Sequence, residues 1–207
     1  MNAPRRKPFS MIREFHLADW ITLGNAISGV GALFAVITYI QSGGIEHIYY
    51  ACALVLAALF FDVADGRVAR WRQSTSLIGR ELDSLADVIS FGVAPALIAY
   101  GCGMQGLWDR LVLGFFVACG VSRLARYNVT ADAIADGADK VPYFEGTPIP
   151  TSLLLVIMLW AAAAQGAIGT QLWGGAVRLA GFTLHPLVLC FALLGSLMIS
   201  RIRIPKL

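Results

Sequence analysis

Asp62, Asp65, Asp83 and Asp87 lie in the stretch "FFDVADGRVARWRQSTSLIGRELDSLADVISFG", Phe60 to Gly92, against two very apolar segments. A carboxylate beside lipid is costly, so acids in such a place are functional-site candidates. On a helix, residues three or four apart share a face. Asp62, Asp65, Gly66 and Ala69 then form one stripe, and Gly79, Asp83 and Asp87 form another. Each stripe mixes carboxylates with residues that have almost no side chain, which leaves space between two helices for something bulky and anionic. Close carboxylates repel one another and do not all stay ionised unaided. Divalent cations that prefer oxygen (Mg²⁺, Mn²⁺ or Ca²⁺) remove the conflict, and they bind phosphate oxygens in turn, so a pyrophosphate fits. A carboxylate left partly free of metal can act as a general base, while Arg70 and Arg67 can contact phosphate. An ion-coupled transporter would also explain the acids, but not the glycines or the adjacent arginines.

The elements that must position these groups are membrane helices. The chain has 207 residues, 57% hydrophobic and 14% charged, where a soluble domain carries about 25% charged residues. Apolar stretches near the ~20 residues needed to cross a bilayer recur at 17–40, 45–62, 86–104, 107–127, 148–164 and 182–200. The expectation is an all-α integral membrane protein with about six transmembrane helices in a single domain over 1–207. Residues 9–20 read as a short interfacial helix with Asp19 on its polar side, and 201–207 as a cytoplasmic tail. Pro95 and several glycines interrupt the third segment. Six crossings return the chain to its starting side, and every Lys and Arg except Arg110 and Arg178 falls there. The positive-inside rule then places both termini and the carboxylates in the cytoplasm.

Other signals are weaker. "GCGMQG" at 101–106 fits a dinucleotide-binding pattern but joins two membrane helices and follows no strand. Cys52, Cys102, Cys119 and Cys190 are scattered through apolar segments and read as core residues. The three histidines form no metal-spaced cluster, and no cleavable leader is apparent.

Asp62, Asp65, Gly66, Ala69, Arg70, Gly79, Asp83 and Asp87 match, without deviation, the signature of the CDP-alcohol phosphotransferases, and the chain resembles that family. The resemblance implies a six-helix membrane enzyme, commonly a homodimer, that uses divalent metal (Mg²⁺ or Mn²⁺, two ions). Such an enzyme transfers a phosphatidyl-type group from a CDP-linked donor, here CDP-diacylglycerol, to an alcohol and releases CMP. It implies that Asp62, Asp65 and Asp83 ligate metal and that Asp87 is both ligand and general base. Gly66, Ala69, Arg70 and Gly79 would contact the CDP moiety, and Thr22 and Asn25 of "TLGN" lie where the family's first helix meets the nucleotide.

The acceptor has to be read from two other segments, "SRLARYN" at 122–128 and "YFEGTPIP" at 143–150. Arg123 and Arg126 serve either as membrane anchors or as ligands for an acceptor carboxylate or donor phosphate. Glu145 can receive an ammonium group, while Gly146, Pro148 and Pro150 turn the chain into the fifth helix. From Leu59 onward the chain is similar to the branch of the family formed by the membrane-embedded phosphatidylserine synthases of bacteria and fungi. That similarity implies L-serine as acceptor, held by Arg126 first, then Arg123 and Asn128. Inositol phosphate or glycerol phosphate, the acceptors of sister enzymes, stay open as alternatives.

Overall fold

The computed structural model describes residues 17–72, 77–135, 143–200 and 202–205. It is an all-α membrane protein with two short strand pairs at its ends. Helix α1 spans Leu17–Ser42 and α2 spans Glu46–Arg72. At 26 residues, α1 is about 39 Å long, enough for the ~30 Å hydrocarbon core. Gly43, at φ 74°, closes α1 by donating its N–H to the Tyr39 carbonyl at 2.8 Å, a left-handed glycine stop. The reversal is therefore tight, and α1 and α2 pack along their length.

The third rod is the centre of the molecule. It begins as α3, Leu77–Asp87, widens into a π turn at Val88–Val93, and resumes as α4, Ala94–Gly101. Pro95 has no N–H to give a regular ladder. The preceding Ala94 N–H instead reaches the Ile89 carbonyl, five residues back, so the helix accommodates the proline by widening rather than breaking. The sequence reading began its third segment at 86; the structure joins it to the second carboxylate stripe as one continuous helix. More than half of this rod's apolar window is buried, against about a third for α1. Gly29 of α1 lets the two meet, because a Cβ there would collide with Ser90.

Helix α5, Leu107–Ala135, leads to strand β1, Tyr143–Glu145. A 3-10 turn at Ile149–Ser152 then starts α6, Leu153–Ala164. Strands β2, Val177–Leu179, and β3, Phe182–Leu184, form a hairpin before α7, Leu189–Ile199. Its turn residues Ala180 and Gly181 both have positive φ, as the twist of a two-residue hairpin loop requires. Strand β4, Arg203–Pro205, returns to pair antiparallel with β1. The four cysteines are unpaired, and Cys52, Cys102 and Cys119 are buried.

Large apolar side chains such as Ile27, Phe34, Phe60, Leu154 and Leu193 face outward, while Asp19, Asn25, Asp65, Asp87, Asp109 and His185 are buried. That inversion of the soluble pattern suits a chain whose outer solvent is lipid. Among the described residues, three rods, Leu17–Ser42, Glu46–Val68 and Ile78–Gly101, are long and apolar enough to cross it, with shorter apolar helices at 149–164 and 186–199. The interfacial helix expected at 9–20 lies outside the described residues up to 16, and Leu17–Trp20 belong to α1.

At the end away from the motif, Asp109 ties three segments together. Its carboxylate is fully buried and accepts from Gly106 N (2.8 Å), His185 N (2.8 Å) and His185 Nδ1 (2.6 Å). Trp108 Nε1 adds a bond to the Leu179 carbonyl at 2.9 Å, holding the hairpin to α5. Asp109→Ala should cost about 3 kcal/mol or more, because it strands buried donors without an acceptor. The measurement is thermal unfolding in detergent, and an unchanged midpoint would show that the bridge is not holding the hairpin.

Candidate active site

The carboxylates come together because two helices that each carry a stripe of them run to the same end of the bundle. Asp62 and Asp65 sit near the end of α2, and Asp83 and Asp87 at the end of α3. One carboxylate oxygen from each of Asp62, Asp83 and Asp87 lies within 4.8 Å of the others. Asp65 stands apart from this trio but within its field.

Helix α1 supplies the scaffold. Thr22 Oγ1 donates to Asp65 Oδ2 at 2.6 Å, and Asn25 Nδ2 donates to Asp87 Oδ1 at 3.1 Å. Ser90, in the π turn, donates to the Asn25 carbonyl at 3.0 Å, which fixes α1 against the third rod. One short polar run of α1 thus holds a carboxylate from each of the other two helices.

Two buried oxygens here, Asp83 Oδ1 and Asn25 Oδ1, have no hydrogen-bond partner among the described residues. A buried unpartnered acceptor costs about 1–3 kcal/mol, and an oxygen-seeking cation removes that cost. Three converging carboxylates with spare acceptors are the donor set a divalent cation takes. The residues fit such an ion.

Room is left beside them. A Cβ at Gly66 would meet nothing within 4 Å, so the glycine opens space on the Asp62–Asp65 face. Arg67 and Arg70 are exposed next to it, and Gly79 is half-buried at the start of α3. The side chain of Ala69 lies outside the described residues.

Across from α3, α5 carries the arginine segment. Arg123 is half-buried, stacks 5.8 Å from the Tyr127 ring centroid, and lies within electrostatic reach of Asp87. Its Nε is buried without a hydrogen-bond partner among the described residues. Arg126 is exposed. Asn128 is buried, and its amide is engaged by Glu81 and Ser84 of α3. Glu145 pairs through its backbone with Arg203, and its side chain lies outside the described residues.

Sequence reasoning missed four residues. Asp19 was read as pointing to the polar side of an interfacial helix, yet it is 5% exposed and interacts electrostatically with Asp65. Its signal was the helical spacing of three from Thr22. Glu81 and Ser84 sit inside the motif but between its specified positions, and Ser90 lies beyond it. At the other end of the bundle is a cavity of about 850 Å³, lined by Tyr39, Gly103, Gln105, Gly106, Thr183 and His185 among others, and by no motif residue.

These features define a membrane-embedded carboxylate cluster whose donor set fits a divalent cation, and the comparisons supply its class. Residues 15–194 match the family model described as CDP-alcohol phosphatidyltransferase, and the chain belongs to that family. Its relatives include the CDP-diacylglycerol–serine O-phosphatidyltransferase of Saccharomyces cerevisiae, 42% identical over 202 residues, or 96% of this chain and 73% of the relative. The enzyme of the same name from Bacillus subtilis is 30% identical over 89% of this chain and 87% of its own length. That from Helicobacter pylori strain 26695 is 41% identical over 75% of this chain and 60% of its own length.

A cation that binds only the folded carboxylate cluster should stabilise the protein, by about 2.7 kcal/mol at a hundred times its dissociation constant. Added Mn²⁺ is expected to raise the unfolding temperature in detergent and EDTA to reverse the shift. Asp83→Ala should abolish the response. A shift that persists in this variant would place the cation elsewhere.

Proposed function

We propose that the protein transfers the phosphatidyl group of CDP-diacylglycerol to the hydroxyl of L-serine, giving phosphatidylserine and CMP. The observation that carries this reading is the convergence of Asp62, Asp83 and Asp87 beneath the arginine helix α5. The names of the relatives favour serine as the acceptor.

Asp62, Asp65, Asp83 and Asp87 would hold two divalent ions, Mg²⁺ or Mn²⁺, which when bound neutralise charge on the pyrophosphate and the departing CMP. Gly66 leaves space for the pyrophosphate, Arg70 meets a phosphate, and Ala69, Gly79, Thr22 and Asn25 line the nucleotide's side. Asn25 tethers one oxygen of Asp87, which orients the carboxylate for proton transfer. Asp87 takes the proton of the serine hydroxyl as its oxygen bonds to the phosphorus bearing diacylglycerol. The bond from that phosphorus to the bridging oxygen breaks, and CMP leaves. Arg126 and Arg123 form the serine side of the site, with Glu145 at the ammonium group; Asn128, expected beside them, has its amide committed to Glu81 and Ser84 and supports the arginines rather than meeting serine. The strong basic bias of one face favours a cytoplasmic site and termini, where a lipid donor reaches the carboxylates from the bilayer. The working form is a homodimer within the membrane.

The test is CMP release by purified protein given CDP-diacylglycerol, with serine, inositol phosphate or glycerol phosphate offered separately and EDTA as control. Release with serine and metal alone is the expected result. Release only with a phosphorylated alcohol would move the protein to a sister activity, and ion flux in liposomes without CMP would make it a transporter. Asp87→Asn should lower turnover by about 10²–10⁴-fold, the range of general base catalysis, while CDP-lipid binding persists. Near-normal turnover would remove Asp87 from the base role.

A further inference from the structure

Along α3 itself the contacts with α5 are few, yet the proposed chemistry needs the arginines of α5 held at a set distance from Asp87. Among the described residues, Asn128 spans the gap. Asn128, 8% exposed, donates Nδ2 to both Glu81 oxygens, at 3.3 and 3.2 Å, and its Oδ1 accepts from Ser84 Oγ at 3.2 Å. An amide so engaged has both of its ends committed to α3. Five residues earlier on the same helix, Arg123 holds its buried, unpartnered Nε within electrostatic reach of Asp87. An anionic group lodged between Arg123 and Asp87 would satisfy that donor.

We infer that Glu81 is a positioning residue for acceptor binding: through Asn128 it sets the rotation and height of α5, and so aims Arg123 at the acceptor's carboxylate beside Asp87. The inference rests on the serine reading above. Glu81 acts through the hydrogen bond rather than through its charge, since Asn128 needs only an acceptor oxygen. Rotating α5 swings Arg123 away from Asp87 while the hydrogen bonds of Thr22 to Asp65 and Asn25 to Asp87, made from α1, hold the cluster.

The experiment is steady-state kinetics of the detergent-solubilised full chain, varying serine and CDP-diacylglycerol separately, with unfolding temperatures recorded in parallel. Glu81→Ala and Asn128→Ala should each raise the KM for serine by about tenfold, the order that loss of an uncharged hydrogen bond implies, and leave the KM for CDP-diacylglycerol within about twofold. Glu81→Gln, which keeps an acceptor, should restore a KM for serine close to that of the unaltered protein. The double alanine variant should be no worse than either single one, the non-additivity of two residues in one bridge. If Glu81→Gln is as impaired as Glu81→Ala, the charge itself matters and the inference fails. It fails equally if both KM values rise together with a lowered unfolding temperature, the mark of a brace alone. If the unaltered protein uses another alcohol, the serine reading falls, and the same variants read against that alcohol's KM still decide the bridge.

Discussion

Four carboxylates forced toward one another at the edge of a bilayer are the constraint on which the rest of this structure turns. Their mutual repulsion is only weakly screened in apolar surroundings. The protein relieves part of the strain with hydrogen bonds from α1, Thr22 to Asp65 and Asn25 to Asp87, and leaves Asp83 Oδ1 without a partner among the described residues. A site in that condition fits a cation, and in the proposed function the cation would be what draws a pyrophosphate there.

The apolar architecture serves the same end. α1 lies close to both carboxylate helices because its contact side carries small residues: Gly24 lies against the Phe61 ring, and Gly29 leaves room for Ser90. Without a hydrophobic force between helices in lipid, such close packing and buried polar bonds are what hold a bundle. The π turn at Val88–Val93 adds a second adjustment. It absorbs Pro95 and brings Ser90 to the α1 backbone directly after Asp87, so the carboxylate end of the rod is anchored where its regular ladder loosens.

The two ends of the bundle are built differently. At the motif end, polar atoms of Asp83, Asn25 and Arg123 have no partner among the described residues. At the far end Asp109 is saturated by three donors and fastens the β2–β3 hairpin and α7 to α5. The residue type is the same at both ends, and the partners around it differ.

Much of this was legible from the chain alone. Spacings of three and four put Asp62 with Asp65 and Asp83 with Asp87 because a helix fixes neighbours within itself, and the apolar runs foretold the rods that carry them. Whatever depended on how one helix is turned against another was not legible. The burial of Asp19, the Asn128 bridge to Glu81 across 47 residues and the Asp109–His185 pair across 76 depend on helix rotation and register. So does the pairing of Tyr143–Glu145 with Arg203–Pro205. Periodicity determines which residues share a face; which face meets which is decided by packing of the whole bundle, and only the tertiary structure holds that choice.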